Sequence, residues 1–331
     1  MKGVLHGHEW AETLLQHQLA SGQVRHAYLF TGPDGVGRRT LALRFAQAVN
    51  CTNPPAPGKA CGACRICIHT EKMQQVDLSI VQAETPGAMI KVDQIRALQH
   101  SLSLSPYEAR YRIALLLDFE AANANAQNAL LKTLEEAPDK VILLITASSA
   151  EELLPTIVSR CELMCLRPLP VDQLTDVLTS NHGVDAATAR QVAALSGGRV
   201  GVALRYLEDP GEVAGHTELV DSLFELLGCS LRQRFARVEG MIKASDQAGS
   251  RAKLRETLQT WIGVWRDALL LASGSATPIT NLAHQDVIQK LAISMPVPLI
   301  HAHLRRLEEG LTMLDQNVNP RLLLENILLD Y

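Results

Sequence analysis

At residues 27–50 an apolar run, a glycine-rich turn and a helix-like run follow one another, an order suited to a parallel α/β sheet. The turn is Gly32-Pro33-Asp34-Gly35-Val36-Gly37-Arg38-Arg39-Thr40, between Ala27-Tyr28-Leu29-Phe30-Thr31 and the run from Leu41 to Val49. Glycines there let the backbone curl and aim N–H groups at phosphate oxygens. Gly32 and Gly37 are in register with the pattern G-x-x-x-x-G-K-[ST], but Arg38 stands where the lysine belongs and Arg39 where the Mg²⁺-binding hydroxyl belongs. The cradle is written without the residues that handle the γ-phosphate and the metal.

The rest of the pattern fits a three-layer α/β domain. Periodicity predicts helices at 9–21, 39–50, 92–104 and 124–136, with Trp10, Leu14, Leu15 and Leu19 at helical spacing in the first. Strands are predicted at 27–31, 77–81, 112–117, 141–146 and 162–166, several of them near-continuous apolar runs, as in a sheet covered on both faces. After Pro168 and Pro170 the strands stop. The reading is an α/β domain over 1–167, a small helical lid over 168–208, and an all-helical domain over 213–331, with a boundary at Asp209-Pro210-Gly211.

A formal charge of −4, with no basic stripe, argues against a free-standing DNA binder but not against DNA contact inside an assembly. The stretch Met1–His8 lacks the apolar core of a signal peptide, and no run reaches the ~18 apolar residues of a membrane helix. A cytoplasmic protein is expected. In that setting seven cysteines read as metal ligands or buried thiols. Cys51, Cys61, Cys64 and Cys67 form C-x9-C-x2-C-x2-C, a set that can close a tetrahedral Zn²⁺ site with no position left for water, hence a structural one. His69 is the competing ligand; Cys161, Cys165 and Cys229 are expected in the core.

Leu115-Leu116-Leu117-Asp118 ends a strand with a carboxylate. In P-loop NTPases such an Asp holds Mg²⁺ and a following Glu orients water. Here Phe119 comes next and Glu120 one place late, so Asp118 is either a metal-facing group or a strand-end or capping carboxylate.

Asn128-Ala129-Leu130-Leu131-Lys132-Thr133-Leu134-Glu135-Glu136-Ala137-Pro138 resembles the corresponding motif of bacterial clamp-loader subunits of the AAA+ class. His26–Gly32, the four cysteines, Ser159-Arg160-Cys161 and Asn317-Val318-Asn319-Pro320-Arg321-Leu322 agree with it. The resemblance implies a AAA+ α/β module with an inserted zinc module, a lid, and a C-terminal collar through which five subunits form a ring. It implies partners as well: gamma or tau motor subunits and delta of the DNA polymerase III clamp loader, the sliding clamp, and primed DNA through the complex. Arg160, in the Ser-Arg-Cys motif, is then an arginine finger offered to a neighbour's ATP.

Within that family both motor and non-motor subunits carry the zinc module. Arg38, Arg39, Phe119 and Gly201 replace the lysine, the hydroxyl, the water-orienting Glu and the second sensor arginine, so the chain resembles the non-motor kind. Gly32, Gly35, Gly37, Arg38, Arg39, Thr40 and Asp118 form its degenerate seat for ATP or ADP. The alternatives are a motor ATPase with unusual residues, or a dinucleotide-binding oxidoreductase on Gly35-Val36-Gly37. The latter lacks the third glycine and, around Asn53-Pro54-Pro55, the acid its fingerprint wants.

Overall fold

The computed structural model describes residues 5–85, 87–243, 247–316 and 318–330; Met1–Val4 and Asn317, used above, lie outside the described residues. Its contacts divide the chain into two compact units, one running to Leu169 and including Arg199–Val202, the other formed by Pro170–Gly198 and the chain from Ala203 on. The lid expected at 168–208 is split between them.

The first unit is built on five parallel strands, β1 (Ala27–Thr31), β2 (Leu78–Val81), β3 (Arg112–Leu116), β4 (Val141–Ala147) and β5 (Glu162–Cys165), in the order β2-β3-β4-β1-β5. All residues of β1, β3 and β4 are buried, as the apolar runs require. Alternation along each strand feeds two separate cores. Tyr28, Phe30, Ile113, Leu115, Ile142 and Leu144 pack under α1 (Glu9–Ala20) and α2 (Arg38–Asn50). Ala27, Leu29, Ala114, Leu116, Leu143 and Ile145 pack with residues of three later helices in this unit. α3 (Arg65–Glu71), which the sequence reading did not assign, follows the cysteines; α4 (Val92–Leu102), α5 (Ala124–Glu135) and the single turn α6 (Pro155–Val158) complete this unit's helices. This is the expected three-layer α/β module.

In α1 the buried face is Ala11 and Leu15, whereas Trp10 is 50% and Leu14 37% exposed. Residues 10 and 14 lie about 100° round the helix from 11 and 15, so of the residues read at helical spacing Leu15 is covered while Trp10 and Leu14 fall at the edge of the buried face.

The second unit is helical, from α7 (Val171–His182), α8 (Ala186–Leu195) and α9 (Val200–Glu208, whose first turn belongs to the first unit) to α10 (Pro210–Leu227) and α11 (Leu231–Lys243). α12 (Gln247–Ala272), α13 (Gln285–Ser294), α14 (Val297–Asp315) and α15 (Pro320–Ile327) follow. The break at Asp209-Pro210-Gly211 is a helix start: Asp209 accepts from the Gly211 N–H at 2.9 Å, with proline at the first helical position. Trp261 and Trp265 of the 26-residue α12 are fully buried at the centre of this unit's core, among Ile300, Leu307 and Leu323. In the apolar run at 322–329, Leu323, Leu324, Ile327 and Leu328 are buried, while Leu322 and Leu329 are 62% and 48% exposed.

Candidate functional site: phosphate loop, Arg160 and cysteine cluster

The loop lies where the strand–turn–helix order puts it, between β1 and α2. Gly32 (φ +143°) is buried against β5's continuation: an added Cβ would stand 2.3 Å from the Leu166 carbonyl oxygen, so no side chain fits. The loop is packed by its own chain on further sides. The Gly201 N–H donates to the Gly35 carbonyl at 2.8 Å, and a Cβ on Gly35 would meet Val202 Cγ2 at 2.6 Å. Leu5 packs under Gly37, and His8 Nε2 hydrogen-bonds the Val36 carbonyl at 3.1 Å. Gly201, which the resemblance sets at the place of a second sensor arginine, thus rests directly on the loop backbone.

Arg38, 7% exposed, does not face outwards. Its Nη2 donates to Asp118 Oδ1 at 3.0 Å and its Nη1 lies 3.9 Å from Glu120 Oε1. Glu120 also accepts the Ser148 N–H at 3.1 Å. Asp118 makes no side-chain cap to the helical turn it begins; it sits in the left-handed region (φ 48°) and its N–H donates to Thr146 Oγ1 at 2.9 Å. Of the two readings open for it, its carboxylate serves as the partner of Arg38. Arg39 is exposed and Thr40 half-buried. The structure brings Arg38, Asp118 and Glu120 together and leaves Arg39 outside that group.

Arg160 follows α6, with its side chain 36% exposed. Nη2 donates to Glu135 Oε1 at 2.7 Å and Nη1 to the Thr156 carbonyl at 2.9 Å. The Ser-Arg-Cys motif is therefore tied to the Leu-Glu-Glu motif at the end of α5.

The four cysteines converge: one sulfur from each of Cys51, Cys61, Cys64 and Cys67 lies within 4.8 Å of the others. A tetrahedral ion with metal–sulfur bonds of about 2.3 Å needs sulfurs roughly 3.8 Å apart, so the set fits. The N–H groups of Cys61, Cys64 and Cys67 donate to the sulfurs of Cys51, Cys61 and Cys64 at 3.3, 3.2 and 3.4 Å. Burial pushes the Cys64 thiol up, but the Cys67 N–H and Thr52 outweigh it and bring it down to about 6. The Ala63 and Cys64 N–H groups likewise lower Cys61, whereas burial raises Cys67. Donors aimed at sulfur favour thiolates, the form that binds metal. Among the described residues no other group of metal-ligating side chains converges in this way. Of the three other cysteines expected in the core, Cys161 is half-buried and packs against the first unit's core, Cys229 is half-buried, and Cys165 is exposed on edge strand β5.

Sequence reasoning missed a buried clasp. Asp77, fully buried, accepts the N–H groups of Tyr107, Glu108 and Ala109 at 2.7, 2.9 and 2.9 Å, and Arg112 Nη2 at 3.3 Å. Its signal was present: two opposite charges at the heads of neighbouring apolar strands.

The first unit is thus a parallel α/β module carrying a phosphate-type loop, with an internally paired loop cation and a cysteine cluster after the next helix. The chain belongs to the DNA polymerase III delta family of clamp-loader subunits. Residues 7–170 match the family model "DNA polymerase III, delta subunit" and residues 245–331 the model of that subunit's C-terminal part. It is 33% identical to DNA polymerase III subunit delta′ of Pseudomonas aeruginosa over 66% of both chains. It is 28% identical to subunit delta′ of Bacillus subtilis over 96% of this chain and 93% of that one. Escherichia coli subunit tau is 30% identical over 73% of this chain, but the match spans 38% of tau's length. No described helix is long and apolar enough to cross a membrane.

Proposed function

We propose that this chain is a delta′-type subunit of the clamp loader that does not hydrolyse ATP itself and acts on a neighbour's nucleotide. The observation that carries the reading is the Arg38–Asp118 pair, which turns the loop's only buried cation away from a phosphate and onto the chain's own carboxylate. The Gly201–Gly35 contact supports it, because backbone fills the place from which a sensor arginine would reach. In this reading gamma or tau and delta are the partners, the sliding clamp and primed DNA are met through the complex, and the protein works in the cytoplasm. ATP or ADP is not turned over at its own loop.

Arg160 is the arginine finger. Released from Glu135, its guanidinium reaches the neighbour's γ-phosphate and neutralises charge as the bond breaks, an effect worth roughly 10³–10⁵ in rate. Cys51, Cys61, Cys64 and Cys67 hold a structural Zn²⁺; the metal supplies a cross-link between the end of α2, the loop that follows it and α3. The test is DNA-stimulated ATPase of a complex reconstituted with motor and delta subunits. Arg160→Ala is expected to abolish most of it while assembly persists. Unchanged ATPase overturns the finger, and Mg²⁺-dependent turnover by the purified chain overturns the non-motor reading in favour of a motor subunit.

A further inference from the structure

α2 begins at the phosphate loop and ends at the cysteine cluster, and its last turn does more than pack. Gln47 and Asn50, three residues apart, share one face of the helix. Gln47 Nε2 donates to the carbonyl oxygen of Cys67 at 2.8 Å. Asn50, 6% exposed, binds both backbone polar groups of Tyr111: Nδ2 donates to its carbonyl at 2.9 Å and Oδ1 accepts its N–H at 2.9 Å. Cys51 follows at once as the helix's extended C-cap residue.

Two amides from one helical turn therefore fix opposite ends of the cysteine set. Asn50 pins the chain just before Cys51 to the residue that leads into β3, and Gln47 pins the main chain at Cys67, the one fully buried cysteine of the four. Gln47 is spent on a ligand's own carbonyl, and Asn50, the residue before Cys51, is spent on both backbone groups of Tyr111. A residue needed only to cap α2 would have no reason to reach Cys67.

We propose that Gln47 and Asn50 are positioning residues of the metal centre, which hold Cys51 and Cys67 in place on an already folded α2 so that the ion binds a preformed half-site. This rests on the zinc reading above. In many small zinc modules the metal instead drives folding outright; here the helix and sheet set two of the four ligands first. Partners one shell beyond the ligands commonly change metal affinity 10–100-fold.

The experiment uses the full chain as Gln47→Met, which keeps the side-chain length without the donor, and Asn50→Asp, which keeps the acceptor for the Tyr111 N–H and loses the donor. Zinc stoichiometry, zinc release to a chromogenic chelator and the visible spectrum of the Co²⁺-substituted protein are measured, with far-UV circular dichroism of the metal-free forms. Expected are stoichiometric metal on the wild type, release about 10–100-fold faster in both variants with altered sulfur-to-cobalt bands, and metal-free spectra that keep the helical signal. Equal release rates and spectra on metal-loaded variants overturn this proposal alone. A metal-free wild type that loses its helical signal overturns the preformed half-site. A wild type that takes up no stoichiometric metal overturns the zinc reading itself and this proposal with it.

Discussion

Arg38 and Asp118 are joined at 3.0 Å across the head of the sheet, the guanidinium 8% and the carboxylate 65% exposed. The pair links two motifs 80 residues apart, the loop after β1 and the turn after β3, and Glu120 faces the same cation from the other side. A charge that is nearly buried and shared by two carboxylates is already neutralised, and drawing it out to a ligand means breaking that arrangement.

Restoring the motif residues is therefore expected to harm rather than repair. In Arg38→Lys with Arg39→Thr, a compact ammonium cannot span Asp118 and Glu120 as a planar guanidinium does. Urea unfolding should show a loss of about 1–3 kcal/mol, and the double variant should release no phosphate from Mg²⁺-ATP. Turnover by this variant would mean that the two loop residues alone silence the site.

Arg160 should be separable from folding. Its pair with Glu135 is substantially exposed on both sides, and such pairs are worth about 0–1 kcal/mol. Arg160→Ala and Glu135→Gln should both melt within a few degrees of the wild type in thermal scans of the isolated chain. A drop of many degrees for either would make the motif structural.

Asp77 should govern acid stability of the first unit. Burial pushes its carboxyl up, but the N–H groups of Tyr107, Glu108 and Ala109 and the Gln75 amide outweigh that and hold it below the usual carboxylate range. A folded value below the unfolded one means the stabilisation is complete above the unfolded pKa near 3.9 and drains away as pH falls through the lower folded value. Asp77→Asn should cost roughly 3 kcal/mol at neutral pH, because Arg112 is left buried without its partner charge, and should flatten the stability-against-pH curve below about pH 4.

His303 sets a second pH dependence, in the helical unit. It is 4% exposed and stacked on Trp265 at 4.6 Å between ring centres. Burial, then the charge of Arg306, lowers its pKa. A lowered folded value again means stability that is whole above the unfolded pKa, about 6.5, and lost as pH falls below it. The chain should melt lower at pH 5 than at pH 7.5, and His303→Phe, which keeps a ring against Trp265, should shrink the difference.

Much of the fold was legible because periodicity and punctuation agree in the α/β half. β1 was read to the residue and the other strands to within one; β1, β3 and β4 are all buried, and their near-continuous apolar runs mark them off from the polar turns on either side. Two kinds of feature escaped. Trp10 and Leu14 share helical spacing with the buried Leu15 yet stay exposed, because a short helix with large residues on several sides does not say which stripe is covered. The partners of Arg38, Asp77 and Asn50 escaped because each lies 30–80 residues away, and local pattern carries no information about which buried charge or amide meets which. At the site, residue types were readable and their partners were not: Asp118 was open between a metal-facing group and a strand-end or capping carboxylate, and the carboxylate meets Arg38.

The Gly201–Gly35 contact gives this loop a direction in time. An added Cβ at position 201 would stand 2.9 Å from the Gly35 oxygen and 3.2 Å from its Cα, backbone that cannot step aside as a side chain can. A mutational walk toward a nucleotide-gripping arginine at 201 must first displace the loop, and the first variant on that path is less stable while Arg38 still turns inward. Position 201 is closed to larger residues by backbone geometry, so the loop and the helix that rests on it can change only together.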